Sequence, residues 1–496
     1  MSVPSARGVA AASHYGYAML QYSRGGLASA STSRRIHSNL QEGANAQSGT
    51  GCRSLGQRQY HRRPALRHAA KISSSLAASY PAHTSKPTQQ VRQLASISDN
   101  QPYEAVVVGA GPAGITCVGN LLERKLSPIL WIDDGFEGGR VNRMYREVPS
   151  NTKVKTFIDY ATGVTPFRRI ISGQQFQGRW EEPEVATGRK DDKLSVMRAL
   201  DQEKGCRLSH AADMCLMLTE GLRETAGVTA QTGKVAEATL DEASGHWNLR
   251  MEADSNTSGQ TLPIHTKRLV LCTGSSPNND PLPVEIPGIQ NLDLDKALSP
   301  TRLSSFLSPK GPTTVSVIGA SHSAVLVLMN LYALASTSKP DLRVRWLTRH
   351  PLRYAVFMDG WILRDNTGLK GEAADWAKAN LEPENYKQSD VSKYIKRVDY
   401  PAGSEKDVYS KEMSDSDYYV QAIGYNRNPI PVIRTSSGKE VVPEFDHQKG
   451  AFNMPGLFGA GIAWPERVKD PHGNVEMAVG FFKFMKFVKR VSPEWN

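Results

Sequence analysis

Six residues early in the chain have the types and the spacing to hold a pyrophosphate. Gly109-Ala110-Gly111-Pro112-Ala113-Gly114 follows directly on the apolar run Ala105–Val108. In this spacing the first glycine permits a tight turn out of a strand. The second lets a diphosphate approach the backbone, and the third lets the next helix pack closely on the sheet. The helix start, at Pro112 and Ala113, then presents free N–H groups and the positive end of its dipole to the phosphates. Asp133 closes the next apolar run, Pro128–Ile132, and lies 19 residues past Gly114. A carboxylate at that place accepts hydrogen bonds from a ribose. The chemistry implied is capture of an adenine dinucleotide.

A second set of residues repeats the pattern with changes. Thr314–Ile318 runs into Gly319-Ala320-Ser321-His322-Ser323-Ala324. Ser321 stands for the second glycine and Ala324 for the third. Serine is small enough for a phosphate to approach, and its hydroxyl is expected to donate to one. His322, inside this turn, is expected to be a cofactor neighbour, through its side chain or through its backbone at the helix start, and not an acid or base. The following run, Leu342–Leu347, ends in Thr348-Arg349-His350 and not in an acid. Loss of the acid and gain of an arginine is how such sites accept a 2′-phosphate, which favours NADPH over NADH.

These residues need strands and helices to hold them. Short apolar runs that end in glycine turns, alternating with helical patterns, predict an α/β fold. A polar, helical region is expected to about residue 225. Val228–Glu252 alternates like a small β-meander, with Val235 near its start. Arg268–Ser275 reads as a buried strand ending in Thr273-Gly274, and the proline-rich Pro277–Pro287 as a domain boundary. Helices are expected at Ala324–Ala335 and Ala373–Asn380, a turn at Asn366–Gly368, and strands at Asp417–Tyr425 and Pro455–Gly461. A last helix is expected from about Asn474, with Phe481, Phe482, Met485 and Val488 on one stripe and Lys483, Lys486 and Lys489 away from it. Such a stripe packs on its own domain with the lysines solvated, or lies on a membrane surface as a peripheral contact. Arg140, after Gly138-Gly139, pairs with a cofactor phosphate or with an acidic neighbour.

The net charge of +11 suggests a nucleic-acid partner, but its placement argues against one. Residues 1–98 hold ten Arg, two Lys and one Glu, so the whole excess sits there and the remaining 398 residues are neutral overall. This leader is rich in Ser, Ala and Arg, is poor in acid, and has no apolar periodicity, so it is expected to be disordered. Its composition fits a mitochondrial transit peptide better than a secretory signal, with Arg92-Gln-Leu94 resembling a processing site; a cytoplasmic location is the alternative. Five scattered cysteines offer no CxxC dithiol and no disulfide framework. The histidines lack metal-ligand spacing, so no metal is expected. No apolar run reaches membrane-spanning length.

Two such turns about 200 residues apart, closed by Leu271-Cys-Thr-Gly274 and Gln421-Ala-Ile-Gly-Tyr425, resemble the two-dinucleotide-binding-domain flavoproteins. The resemblance implies two Rossmann-type domains, with FAD in the first and NAD(P)H in the second, which is inserted in the first. The divisions expected are a leader at 1–98, FAD domain at 99–308 and 424–496, and NAD(P)H domain at 309–423. Asp417 followed by Ala422-Ile-Gly-Tyr425 is similar to the D-x-x-x-x-A-T-G-Y signature of flavin-dependent N-hydroxylating monooxygenases, with Ile423 in place of threonine. The F-x-G-x-x-x-H motif of related monooxygenases is absent. Gly459-Ala-Gly461-Ile462 stands where many disulfide-reductase-type members have Gly-Asp.

The resemblance implies an FAD-dependent, NAD(P)H-using oxidoreductase, a monooxygenase acting on a small organic substrate through a C4a-hydroperoxyflavin. Asn151 and Lys153 lie in a segment resembling the flavin-side loop of monooxygenases. The asparagine amide would donate to the hydroperoxide, and the lysine would neutralise reduced flavin. The start of the last helix would stabilise negative charge on the flavin. Two rivals remain: an NAD(P)H dehydrogenase that passes electrons to a quinone or redox protein, and a non-catalytic FAD/NAD(P)-binding redox sensor.

Overall fold

The computed structural model describes residues 101–173, 194–252 and 264–496. The basic leader and its processing site lie outside the described residues. The first sheet orders its strands Phe445–Asp446, Ala451–Phe452, Leu457–Gly459, Leu269–Leu271, Ala105–Val108, Ile129–Asp133 and Val228–Thr232. The last five run parallel. Ala105, Val106 and Val107 are fully buried, because helices and a second layer cover both faces. That is why these strands read as continuous apolar runs and not as alternating ones.

The helix Pro112–Glu123 follows the first turn, with proline at its start, where no amide hydrogen is missed. It packs against the helices Thr165–Ile171, Leu208–Arg223 and Phe481–Val491. On the other face, Val235–Asp241, His246–Met251, Ile264–Thr266 and Val432–Arg434 make a four-stranded sheet. The meander expected over Val228–Glu252 is split, because Val228–Thr232 joins the first sheet and only the two later strands pair here.

The second sheet is all parallel, in the order Ile395–Asp399, Leu342–Thr348, Thr313–Ile318, Tyr418–Gln421 and Gln290–Asn291. It is nested in the first. The chain leaves through Ser275–Pro277 and returns through Tyr425–Arg427, and these two crossings pair antiparallel.

Three expectations need correction. The second unit begins near residue 290, not 309. Gln290–Asn291 joins its sheet, and Leu292, Leu294, Leu303 and Leu307 bury into its core. The last helix begins at Phe481, not at Asn474. Residues Glu466–Lys469 and Val475–Ala478 form an antiparallel hairpin instead, and Gly480, at φ +147°, separates it from the helix. The helix's apolar face is covered: Met485 meets Asn120 at 3.4 Å, and Phe481 packs edge-on to Phe157 and Tyr160. Lys483 is not solvated as expected, because it pairs with Asp365 at 2.7 Å. Among the described residues, no helix is long and apolar enough to cross a membrane, and no group of residues could hold a metal.

Candidate functional site

The two glycine turns are built alike. Gly109 has φ +107°, and a β-carbon on it would lie 2.3 Å from the carbonyl oxygen of Cys272. Gly319 has φ +126°, and its β-carbon would lie 2.5 Å from the carbonyl oxygen of Ala422. Only glycine fits either position. Each turn is also braced by an indole from the neighbouring strand. Trp131 donates to the Gly109 carbonyl at 2.9 Å, and Trp346 donates to the Gly319 carbonyl at 2.8 Å. Each tryptophan sits two residues before the end of its strand. The sequence reading missed both; the shared position is the signal that would have found them.

The first turn fits a dinucleotide. Its helix starts at Gly111 without any side-chain cap, so the first amide hydrogens stay open to an anion. A β-carbon on Gly111 would meet nothing closer than the α-carbon of Gly139, at 3.8 Å, so bare backbone forms the cradle. At Gly114 a β-carbon would strike the Gly109 carbonyl at 1.8 Å. Thr273, next to the turn, has a buried hydroxyl with no partner, a group that calls for a ligand. Asn428 fixes the same segment, donating to the Thr273 carbonyl at 2.8 Å and, through its amide, to that of Gly274 at 3.1 Å.

Asp133 holds the turn. Its Oδ2 accepts from the amide of Ala110 at 2.6 Å, and Oδ1 accepts from Gly135 and Phe136 at 2.9 and 2.7 Å. One of the four acceptor positions of the carboxylate is left. The amide of Gly233 donates to the Asp133 carbonyl at 3.1 Å, which brings the start of the meander, and the buried Val235, to the same end. Gly461, at φ +92°, lies so close to Ala113 that a β-carbon would come within 2.5 Å of it. The last strand-to-turn thus closes over Pro112 and Ala113.

At the second turn the role expected of Ser321 changes. Its hydroxyl donates to the Ala422 carbonyl at 2.8 Å and accepts from the amide of Ala324 at 3.2 Å. A hydroxyl has one proton, so none is left for a phosphate, and Ser321 is the cap of the helix His322–Thr337. Any phosphate contact here falls to backbone amides. His322 Nδ1 is buried without a partner. Burial, helped by the positive charge of Lys370, pushes the imidazole down to about 4, so it is neutral near pH 7. Ser323 reaches the Tyr425 hydroxyl.

Arg349 lines a cavity of about 360 Å³ together with Thr348, His350, Tyr400 and others. The cavity opens at the C-terminal ends of Leu342–Thr348 and Ile395–Asp399, where a sheet of this kind presents its ligands. Arg349 is not alone: its Nη1 donates to Glu405 at 2.8 Å. Glu405 lies 56 residues away, beyond the reach of any spacing rule.

Of the two partners expected for Arg140, the structure shows the acidic neighbour. Its guanidinium pairs with Asp295 and also reaches Tyr145 and Ser276, both at 3.3 Å. Tyr145 donates to Asp295 at 2.8 Å and approaches Tyr425 at 3.4 Å. Burial pushes the Tyr145 phenol well above its ordinary range. This network joins the first unit to the second at the crossing strands.

Asn151 and Lys153 lie on an exposed loop. A β-carbon on Gly371 would lie 3.9 Å from the Asn151 α-carbon, and Lys153 pairs with Glu203 at 2.6 Å. Opposite, the turn at Asp365–Thr367 is latched to the last hairpin and helix. Asp365 takes Lys370 and Lys483, and Glu476 accepts from the Asn366 amide at 3.0 Å. Asp417 stands apart from all of this. Its carboxylate accepts from the amide of Thr314 at 2.8 Å, at the strand starts, far from the turn.

No family model matches the chain. It is similar to the monooxygenase AgnR1 of Paecilomyces divaricatus, 48% identical over 406 residues, which are 80% of this chain and 99% of that protein. Among solved structures it is similar to L-lysine 6-monooxygenase from Pseudomonas syringae (TM-score 0.47, 14% identity, 79% of this chain and 99% of that one). It is also similar to the bacillithiol disulfide reductase from Staphylococcus aureus (TM-score 0.46, 13% identity, 80% of this chain and 100% of that one).

Proposed function

The chain belongs to the same family as the monooxygenase AgnR1, and from that premise we propose that it holds FAD at its first turn, takes NADPH at its second, and oxygenates a small organic substrate. The observation that carries the cofactor assignment is the pair of alike, indole-braced glycine turns at the ends of parallel strands in two nested sheets. When bound, the flavin supplies the redox chemistry and NADPH the electrons; the protein supplies binding, orientation and a dry pocket.

Gly109, Gly111 and Gly114 cradle the FAD pyrophosphate against the uncapped helix start at Pro112 and Ala113. Asp133 takes the ribose, and the backbone near Val235 covers the adenine end. Thr273, Gly274 and Gly461 close over the cofactor from the neighbouring strands. At the second turn the backbone amides of Ser321, His322 and Ser323 would meet the NADPH diphosphate, Gly319 shapes the turn with its own amide donated to the Leu347 carbonyl at 2.9 Å, and Arg349 would meet the 2′-phosphate. Asn151, on its exposed loop, would offer a side-chain amide to a bound flavin. Lys153, held by Glu203, sets the charge of the same loop. Arg140 acts one step back, fixing the two units through Asp295. The composition of residues 1–98 supports a mitochondrial address, to be checked by the location of a fluorescent fusion of that leader.

The test is stopped-flow absorbance of the full chain loaded with FAD, reduced anaerobically by NADPH and then mixed with oxygen, with and without candidate substrates. A transient absorbing between the reduced and oxidised flavin bands is expected. Direct reoxidation in every case, with fast turnover on quinones, would replace oxygenation by dehydrogenation. Bound FAD that NADPH never bleaches would overturn the enzymatic reading.

A further inference from the structure

The pair Arg349–Glu405 bears on which coenzyme the second turn prefers. Glu405 opens the helix Glu405–Glu412. One of its oxygens accepts from Arg349 at 2.8 Å and the other from the amide of Gly403 at 2.8 Å. The carboxylate is therefore held on both sides and is not free to swing away from a ligand. Both side chains are partly buried, at 30% and 20% exposure. Arg349 gives Glu405 one of its five N–H donors, and the others stay open toward a ligand.

The rest of the cavity adds little positive charge. Arg397, which also lines it, is held by Asp399 at 2.9 Å and lies 4.9 Å over the Trp346 ring. His350 is pushed below its ordinary range by burial and by Arg349 and Arg353, so it is neutral near pH 7. The two arginines lining the cavity each carry an acidic partner. A 2′-phosphate that reaches Arg349 thus comes within a few ångströms of a fixed carboxylate and is repelled by it. A ribose 2′-hydroxyl in the same place would instead donate to that carboxylate.

We propose that Glu405 is a coenzyme-specificity residue: fixed beside Arg349, it weakens the hold on a 2′-phosphate and lets the site keep a coenzyme that lacks one. This rests on the reading of the Arg349 cavity as the adenosine end of the second nucleotide site. Glu405 acts as a counter-charge and not as a support for Arg349.

The experiment measures the dissociation constants of 2′,5′-ADP and 5′-AMP for the full-length, FAD-loaded protein by calorimetry. Wild type is compared with E405Q, E405A and R349A, with flavin content and circular dichroism as the check of folding. The readout is the ratio of the two affinities. Glutamine has a single carbonyl oxygen, so E405Q removes the charge and one of the two hydrogen bonds, to Arg349 or to Gly403, while E405A removes both. The ratio is expected to shift about tenfold toward 2′,5′-ADP in E405Q, the scale of one like charge removed at close range. E405A is expected to shift in the same direction, and R349A to collapse the ratio toward one. If R349A collapses the ratio while E405Q leaves it unchanged or lowers it, Glu405 merely positions Arg349 and the proposal falls, with the cavity reading intact. If R349A leaves the ratio unchanged, the cavity reading itself falls, and the proposal with it.

Discussion

Gly319 rests on the backbone of Ala422, with room for a hydrogen but not for a methyl: a β-carbon there would stand 2.5 Å from the Ala422 carbonyl oxygen. The φ of +126° adds strain for any other residue, about 1–3 kcal/mol. Gly319→Ala is therefore expected to weaken NADPH at least tenfold while FAD content stays normal. Gly109→Ala, where the matching gap to Cys272 is 2.3 Å, is expected to give the opposite selectivity and yield protein depleted of flavin. Flavin absorbance per mole of protein and NADPH titration check both.

Those glycines were legible because their constraint is local: a positive φ and a missing β-carbon show up as a fixed spacing of glycines after an apolar run. Strand-paired contacts were not legible. Trp131 and Trp346 reach their carbonyls only because parallel register sets each indole beside the neighbouring strand, at Val107 and Val317. Glu405 and Asp295 were hidden for a related reason, since each meets its arginine across a distance in sequence that spacing rules do not cover. Ser321 was placed correctly, but its one proton goes to Ala422, and the sequence cannot show that competition. The start of the second unit was missed because its edge strand, Gln290–Asn291, has only two residues, too short for any alternation to register.

Trp346→Phe tests the brace. The substitution keeps an aromatic ring in the buried strand but leaves the Gly319 carbonyl without its indole donor. The expected cost is about 1–3 kcal/mol in unfolding free energy, with NADPH weakened severalfold and FAD retained. Trp131→Phe should instead lower FAD affinity. Urea denaturation and the two cofactor titrations separate the effects; equal loss of both cofactors in either variant would show a general packing defect.

His322 predicts a slope of stability with pH. Its folded value of about 4 lies below the ordinary 6.5, so the unfolded chain binds the proton more readily. The favourable term is fully present above pH 6.5 and is lost as pH falls toward 4. Across that window the loss amounts to about 3 kcal/mol for this residue. Carboxylates titrate there too, so the quantity to compare is wild type against His322→Gln. The variant is expected to lose stability less steeply between pH 6.5 and 4, by chemical denaturation at half-unit steps. Identical slopes would mean that the imidazole is not held neutral.

Arg140 and Asp295 allow a direct contrast between a structural tie and a cofactor ligand. Their side chains are 26% and 8% exposed, so removing either one strands a largely buried charge. Arg140→Met and Asp295→Asn are each expected to cost about 3 kcal/mol, and the double variant less than the sum, because a buried pair removed together leaves no orphan. The loss should appear in the apo-protein as well as with FAD bound, because Tyr145, Tyr425 and Ser276 belong to the same tie whether or not a dinucleotide is present. A phosphate ligand would behave otherwise: Arg140→Met would raise the FAD dissociation constant and spare apo stability, and Asp295→Asn would leave FAD affinity alone. Urea unfolding of apo and FAD-loaded forms, run on all four proteins of the cycle, decides between them. Strong coupling in both forms places Arg140 with the elements that hold the two nucleotide units together.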